Sequence, residues 1–444
     1  MKKNDTFTGT CLDLTYEGWG IVKHEEFPLF VRNVLPEEEG ELVVTKVFSH
    51  YGFAKMLNRT KSSEHRVQPM CLCYGPCGGC QLQHASFEYQ KQYKHNVVKQ
   101  AFLRNAGMDV EVCPVKTIEY PWRYRNKVQV PVGTDKDGNL VLGFYRLHSH
   151  DIIPLQDCFL QNERDNDILH TIQKEGTRLH MGSVLRHIMI RDMENTDEAM
   201  VVLVVYKKGT KQAKELAEIL IRTYPFVKSV MENVNDKDTN VVLGLEETVL
   251  AGKSTIMGKL HDLTFELSAK SFFQVNIKGT ELLYETAVEF ADLKKEDTAV
   301  DVYCGVGSIS LHLAQKAKQV IGIEIVPEAI ENARQNAIRN HIDNINFICA
   351  DARNATTELV QNGYHPDVAV VDPPRKGCDI QTLEALVAMG GKRIVYVSCN
   401  PTTLARDCKY LTEHGYTIRK VQPVDMFPQT NHVETVVLLS KVQN

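Results

Sequence analysis

From about residue 260 to residue 444, short apolar runs alternate with amphipathic stretches, the pattern of a parallel sheet flanked by helices. Ala299-Val-Asp-Val-Tyr303 reads as a strand feeding the turn Cys304-Gly-Val-Gly307 and then a helix. Gln319-Val-Ile-Gly-Ile-Glu324 is the next strand, and Pro327 opens a helix that runs through Asn340. Asn346-Phe-Ile-Cys-Ala-Asp351 and Asp367-Val-Ala-Val-Val-Asp372 are the third and fourth strands. Arg393-Ile-Val-Tyr-Val397 is a further, buried strand, stopped by Ser398-Cys-Asn-Pro401 because proline cannot continue the ladder. The pattern predicts a doubly wound α/β sheet over residues 260–444.

The first 60 residues have a different texture. Phe7-Thr-Gly-Thr-Cys11, Gly20-Ile-Val-Lys23, Leu29-Phe-Val31 and Glu41-Leu-Val-Val-Thr-Lys-Val47 are short strands separated by Gly, Pro and acidic turns, which predicts a small β-barrel. Residues 61–259 read as a central α+β domain. It has a helix from Phe87 to Ala106 ended by Gly107, strands at Val128–Pro131, Leu140–Tyr145 and Met200–Tyr206, and a helix at Lys211–Thr223. No apolar run is long enough for a membrane span, and Met1 to Thr10 contains no hydrophobic signal segment. A cytoplasmic protein with no membrane contact is expected.

Net charge is −5, so no global basic field announces a nucleic-acid partner, and any RNA site must be a local patch. The barrel stretch carries seven Lys/Arg against nine Asp/Glu and reads, on charge alone, as a spacer. Residues 61–130 reverse the balance, with ten Lys/Arg against five Asp/Glu. Lys91, Lys94, Lys99 and Arg104 lie along the Phe87–Ala106 helix with Tyr89, Tyr93 and Phe102 between them, and Tyr120-Pro-Trp-Arg-Tyr-Arg-Asn-Lys127 follows. That mixture suits phosphate contacts and base stacking.

Twelve cysteines in a reducing compartment argue for metal or catalysis rather than disulfides. Four of them fall in Cys71-Leu-Cys73-Tyr-Gly-Pro-Cys77-Gly-Gly-Cys80, on a Gly/Pro loop able to wrap a centre. Three readings compete. All four could ligate zinc; Cys73, Cys77 and Cys80 have the spacing of a radical S-adenosylmethionine cluster site; or Cys71, Cys77 and Cys80 act with the distant Cys158.

Candidate chemistry collects at the carboxyl edge of the predicted sheet, where open α/β sheets bind ligands. Gly305 lies in the turn after the first strand, letting a cofactor approach the backbone, and Glu324, 19 residues on, is placed to grip a ribose. Glu324, Asp351 and Asp372 end three successive strands. Those acids suit a nucleoside cofactor without a pyrophosphate, so S-adenosylmethionine fits better than NAD, whose third fingerprint glycine is absent. Cys399 sits at the end of its own strand, either as a small buried side chain or as a covalent nucleophile.

Asp301-Val-Tyr-Cys-Gly-Val-Gly307, Asp372-Pro-Pro-Arg375, Ser398-Cys-Asn-Pro401 and His432-Val-Glu434 together resemble the RNA (uracil-5-)methyltransferases. Asp13-Leu-Thr-Tyr-Glu-Gly-Trp-Gly-Ile-Val22, with Phe30-Val31 and Leu35-Pro-Glu-Glu38, resembles a TRAM domain, an RNA-binding barrel. With the cysteines, the match extends to the bacterial TRAM-bearing, iron–sulfur branch acting on 23S ribosomal RNA. The resemblance implies a Rossmann-like class I methyltransferase domain behind a TRAM/OB-like barrel. It makes Cys399 the nucleophile and Glu434 the base that takes the proton from carbon 5. It places Gln274, Tyr303, Gly305, Ser308, Glu324, Asp351 and Asp372 around S-adenosylmethionine. It assigns Cys71, Cys77, Cys80 and Cys158 to a 4Fe–4S cluster, with Cys73 beside it. It further suggests that the Phe87–Ala106 helix packs on the catalytic domain. Ribosomal RNA is the expected partner, DNA is not, and a monomer is expected.

Overall fold

The computed structural model describes residues 1–442. Five strands close the N-terminal barrel: Thr6–Leu14, Gly20–His24, Phe27–Val31, Glu39–Val47 and Gly52–Lys61. The last of these escaped the sequence pattern because only Gly52 and Ala54 along it are buried, leaving little alternation to read. Val22, Leu29, Val31, Leu42 and Val44 fill the interior. Outside lies an aromatic face. Trp19 packs edge-on to Phe53 (5.1 Å between ring centres), Phe48 stacks on Tyr51 (4.9 Å), and the guanidinium of Arg32 covers Trp19 at 4.4 Å.

The middle of the chain builds a seven-stranded sheet between the strands Glu246–Gly252 and Ile152–Pro154, with Glu198–Val205 and Leu185–Met193 at its centre. Strand periodicity sends alternate residues to opposite faces. Val201, Leu203 and Val205 meet the helices Glu163–Arg178 and Lys211–Thr223, while Met200, Val202 and Val204 face the C-terminal core. The two sheets therefore share one hydrophobic interior.

The largest sheet has eight strands. Ile345–Cys349, Gln319–Glu324, Thr298–Val302, Val368–Val371 and Arg393–Ser398 run parallel in that order. Glu434–Lys441 then pairs antiparallel with Arg393–Ser398, and Tyr416–Asp425 antiparallel with Glu434–Lys441. The strand order reverses at Thr298–Val302, which opens a crevice at the carboxyl ends of the strands.

The eighth strand, Lys116–Thr117, comes from the N-terminal half and pairs with Val424 and Asp425. The helix Phe87–Ala101 and its π-helical extension Phe102–Ala106, closed by Gly107 at φ +69°, lie on the same side of the molecule. Val98, Phe102 and Ala106 pack in one core with Leu404, Cys408 and Leu411 of the helix Pro401–Glu413. This docking removes Tyr93, Lys94 and Phe102 from the mixture of cations and aromatics read as suited to RNA. Tyr93 and Phe102 are core, and Lys94 is wholly buried, donating to Asp425 (2.5 Å) and to the Phe427 carbonyl (3.0 Å). Wedged between barrel and sheet, the helix leaves Lys99 and Arg104 in water together with Gln92, Asn96 and Asn105. Among the described residues, no helix is long and apolar enough to cross a membrane.

Removing one partner of a buried ion pair strands the other, at a cost of about 3–5 kcal/mol. Lys94→Met is expected to lower unfolding free energy by that amount in urea titration, and Lys94→Met combined with Asp425→Leu to recover most of it. A single variant as stable as wild type would mean that Asp425 has found water or another cation.

Candidate active site

The strand Arg393–Ser398 is buried along Ile394 to Ser398 and delivers Cys399 to the crevice. Asn400 caps the helix Pro401–Glu413, its side chain accepting from the Thr402 amide (3.1 Å), and Pro401 fits the first turn because no donor is needed there. On the neighbouring antiparallel strand, Ser398 stands opposite Thr435. The ladder ends at that pair, and the residues just beyond it are Cys399 on one side and Glu434, the first residue of Glu434–Lys441, on the other.

Cys399 and Glu434 share one cleft of about 1060 Å³ with Gln274, Tyr303, Gly305 and Ser308. Glu324, Asp351 and Asp372 line it as well. Glu324 is held ready at its strand end, one carboxylate oxygen accepting from the Ile325 and Val326 amides (2.9 Å each) and the other from Gly305 (3.2 Å). Gly305 and Gly307 both have positive φ. A side chain at Gly307 would strike Phe347 and Ala333, whereas the space over Gly305 is open, as the approach of a ligand to the backbone requires. Tyr303 also takes positive φ (+71°), a strained setting for a bulky residue.

Electrostatically the cleft is acid-rich and dry. Burial, followed by repulsion from Asp372, pushes Glu434 up to about 8, with Arg375 pulling the other way. Asp372 rises to about 7 through burial and then Asp301. The Cys399 thiol rises to about 11, chiefly through burial, then through Glu434 and Asp372. His432, which lies two residues before Glu434, is lowered to about 4 by burial, Arg375, Lys94 and Arg125.

The loop Asp372 to Cys378 is fastened from below by the helix that follows Cys399. Asn400 and Thr403 donate to the Arg375 carbonyl (2.9 and 3.2 Å), and the buried Asp407 accepts from the Cys378 amide (2.9 Å).

Three cleft residues had no assigned role in the sequence reading. Asp301 is buried, bonded on one oxygen by Ser310 and without a partner on the other, and burial raises it to about 7. Tyr284 shares a hydrogen bond with the Ser308 hydroxyl (2.9 Å) from the interior of the helix Ile277–Ala291, where nothing marks it in sequence. Phe272 stands 71% exposed at the rim, an unusual site for a large aromatic residue.

A second cavity, of about 390 Å³, is lined by Cys71, Cys73, Cys77, Cys80 and Cys158. All five are free thiols, and burial pushes Cys158 up to about 11. Among the described residues, no three His, Cys, Asp or Glu side chains are grouped to hold a single metal ion. Arg125 and Val275 line both cavities.

Residues 86–442 match the family model described as tRNA (Uracil-5-)-methyltransferase. An uncharacterized RNA methyltransferase of Oceanobacillus iheyensis is 48% identical, over 99% of this chain and 97% of its own length. A Clostridium tetani RNA methyltransferase is 45% identical over 99% and 97%. Among solved structures, the Pyrococcus abyssi tRNA (uracil-54, C5)-methyltransferase in complex with S-adenosyl-L-homocysteine has a TM-score of 0.77 at 27% identity, covering 97% of this chain and 99% of that one. Because the family match extends over residues 86–442 and takes in the whole cleft, the chain belongs to the tRNA (uracil-5-)-methyltransferase family and is an S-adenosylmethionine-dependent RNA methyltransferase.

Proposed function

We propose that this protein methylates carbon 5 of specific uridines in 23S ribosomal RNA, forming 5-methyluridine through a covalent adduct between Cys399 and carbon 6. The observation that carries the chemistry is that Cys399 and Glu434, each next to the last pair of one antiparallel ladder, line the same cleft rich in carboxylates. Ribosomal RNA is the substrate implied by resemblance to the TRAM-bearing, iron–sulfur branch. The same chemistry on tRNA is the second reading, favoured by similarity to the Pyrococcus abyssi tRNA enzyme.

Carbon 5 of uracil is a weak nucleophile. Addition of the Cys399 thiolate to carbon 6 moves the ring's double-bond electrons toward the carbon-4 oxygen, and the resulting enolate attacks through carbon 5. Carbon 5 then carries both methyl and hydrogen. Glu434 takes that proton, the carbon 5–carbon 6 double bond reforms and the sulfur leaves as thiolate.

Bound S-adenosylmethionine supplies the methyl group from a positively charged sulfur. Gln274, Tyr303, Gly305, Ser308, Glu324, Asp351 and Asp372 would hold it, and the unpartnered oxygen of Asp301 fits a donor such as its amino group. The crowded acids favour that cation, and they lose the attraction once the methyl group has gone.

Cys71, Cys77, Cys80 and Cys158 would hold a 4Fe–4S cluster, with Cys73 as an extra thiol. The all-sulfur donor set around one cavity has the chemistry such a cluster requires. The aromatic and cationic face of the barrel suits unpaired bases in a TRAM-like role, and Phe272 suits stacking beside the cleft mouth. Swinging the target base out costs roughly a few kcal/mol, which such contacts offset.

Glu434→Gln keeps the shape of the side chain but cannot take the proton. On a denaturing gel it should give an RNA-linked band carrying labelled methyl; wild type should give little and Glu434→Gln with Cys399→Ala none. Normal turnover without a trapped band would move the proton to another group. Cys399→Ala alone should abolish methylation and leave S-adenosylmethionine affinity intact.

The pH profile has a definite sign. At neutral pH the raised Glu434 is mostly protonated and cannot accept, so kcat/KM should climb with pH to a break near 8. Cys399, raised to about 11, pushes in the same direction. A rate that falls between pH 6 and 8 would contradict a carboxylate base at this position.

Prepared without air, the protein should be brown, with iron and sulfide each at about four per chain. A colourless preparation holding one zinc would return the site to four local thiolates.

A further inference from the structure

Arg125 stands where the two cavities meet, lining both the cleft and the thiol cavity. Its backbone is pinned, with the amide donating to the Leu160 carbonyl (2.8 Å) and isolated bridges to Gln161 and Asn276. The next residue, Asn126, bonds the Val275 and Gln274 backbone (2.9 Å each). The guanidinium therefore hangs from a fixed point. Neighbouring side chains are committed elsewhere, Arg123 to Asp157 (2.7 Å) and the Tyr124 hydroxyl to the Pro428 carbonyl (3.0 Å).

Arg125 is less committed. Its Nε is buried without a hydrogen bond, its side chain has the Tyr124 hydroxyl as a polar neighbour, and among the described residues it has no ion-pair partner. A half-buried guanidinium without an internal anion presents a planar fork of donors to a ligand oxygen. Arg375, the other arginine of the cleft, is exposed and lies 3.4 Å from His432 Nδ1. Charge stabilisation is worth more from the drier of the two positions.

We propose that Arg125 is a further catalytic residue that donates hydrogen bonds to the carbon-4 oxygen of the target uracil as negative charge collects there. This rests on the reading that Cys399 adds to carbon 6. In that step the thiolate electron pair forms the sulfur–carbon bond, and the displaced double-bond pair ends on the enolate oxygen. No proton moves and no redox partner is required.

The test uses full-length protein with its iron content measured, and RNA carrying 5-fluorouracil, whose methylated adduct cannot lose fluorine. Arg125→Ala should slow adduct formation by about 10²–10³-fold, the loss typical of one oxyanion donor, with unchanged S-adenosylmethionine affinity and iron content. Arg125→Lys, which keeps charge but not the fork, should stay well below wild type. Adduct formation by Arg125→Ala at the wild-type rate would overturn the proposal. So would loss of iron in Arg125→Ala with full recovery of iron and rate in Arg125→Lys, which would make Arg125 a wall of the thiol cavity alone. Absence of adduct from wild type would instead overturn the covalent reading, and this proposal with it.

Discussion

Lys94 and Asp425 form an ion pair with no access to water, and the placement of Glu434, the proposed base, depends on it. Two charges taken out of water are costly, and the helix Phe87–Ala101 offsets that cost with a whole set of bonds to one segment. Gln90 exchanges two hydrogen bonds with Gln429 (2.9 and 3.0 Å), and the amides of Gln81 and Leu82 donate to the Gln429 carbonyl (3.0 Å each). Asn276 donates to the Met426 carbonyl (2.8 Å), and Asn431 to the Tyr16 carbonyl on the barrel (3.1 Å). Gln429 itself sits at φ +71°, a conformation its partners impose. The barrel, the thiol loop and the central segment thus converge on residues 425–431, and the chain leaves that clamp to enter Glu434. On the proposed mechanism Glu434 must reach one carbon atom of an extruded ring, and contributions from most of the chain hold it in place.

The second constraint is charge. Glu434, Asp372 and Asp301 lie close enough, and dry enough, that each resists ionising. In the free protein this arrangement opposes folding as pH rises from the carboxylate range toward 8, since the unfolded chain ionises freely and the folded one does not. The same crowding favours a bound cation. Instability of the empty cleft and affinity for a positively charged methyl donor have one cause.

Much of the catalytic sheet was legible because its strands are continuous apolar runs bounded by Gly, Pro or an acid. Asp301–Gly307, Glu324, Asp351, Asp372 and Cys399 could be placed on one edge by counting strands. Pattern could not show that Phe87–Ala106 belongs to the far domain, since amphipathic spacing identifies a buried face without naming what covers it. Lys94 misled for a related reason: a lysine reads as solvated unless its partner, here 331 residues away, is known. Asp301 was quoted within its motif and Arg125 within the basic, aromatic stretch Tyr120–Lys127, but their unfilled bonds appear only in the fold, and Tyr284 carries no motif signal. The barrel's net acidity concealed its aromatic face, which exists only once the Trp19, Phe48 and Phe53 segments are brought together.

The central claim concerns where the methyl group goes, and mass-spectrometric mapping of 5-methyluridine in 23S ribosomal RNA and tRNA tests it directly. RNA would be taken from cells lacking the gene and from the same cells supplied with wild type or Cys399→Ala. The account predicts that 5-methyluridine disappears from discrete 23S sites on deletion, returns with wild type and does not return with Cys399→Ala. Unchanged ribosomal RNA with 5-methyluridine lost from tRNA would contradict the ribosomal assignment, and return of the ribosomal mark with Cys399→Ala would contradict the covalent mechanism.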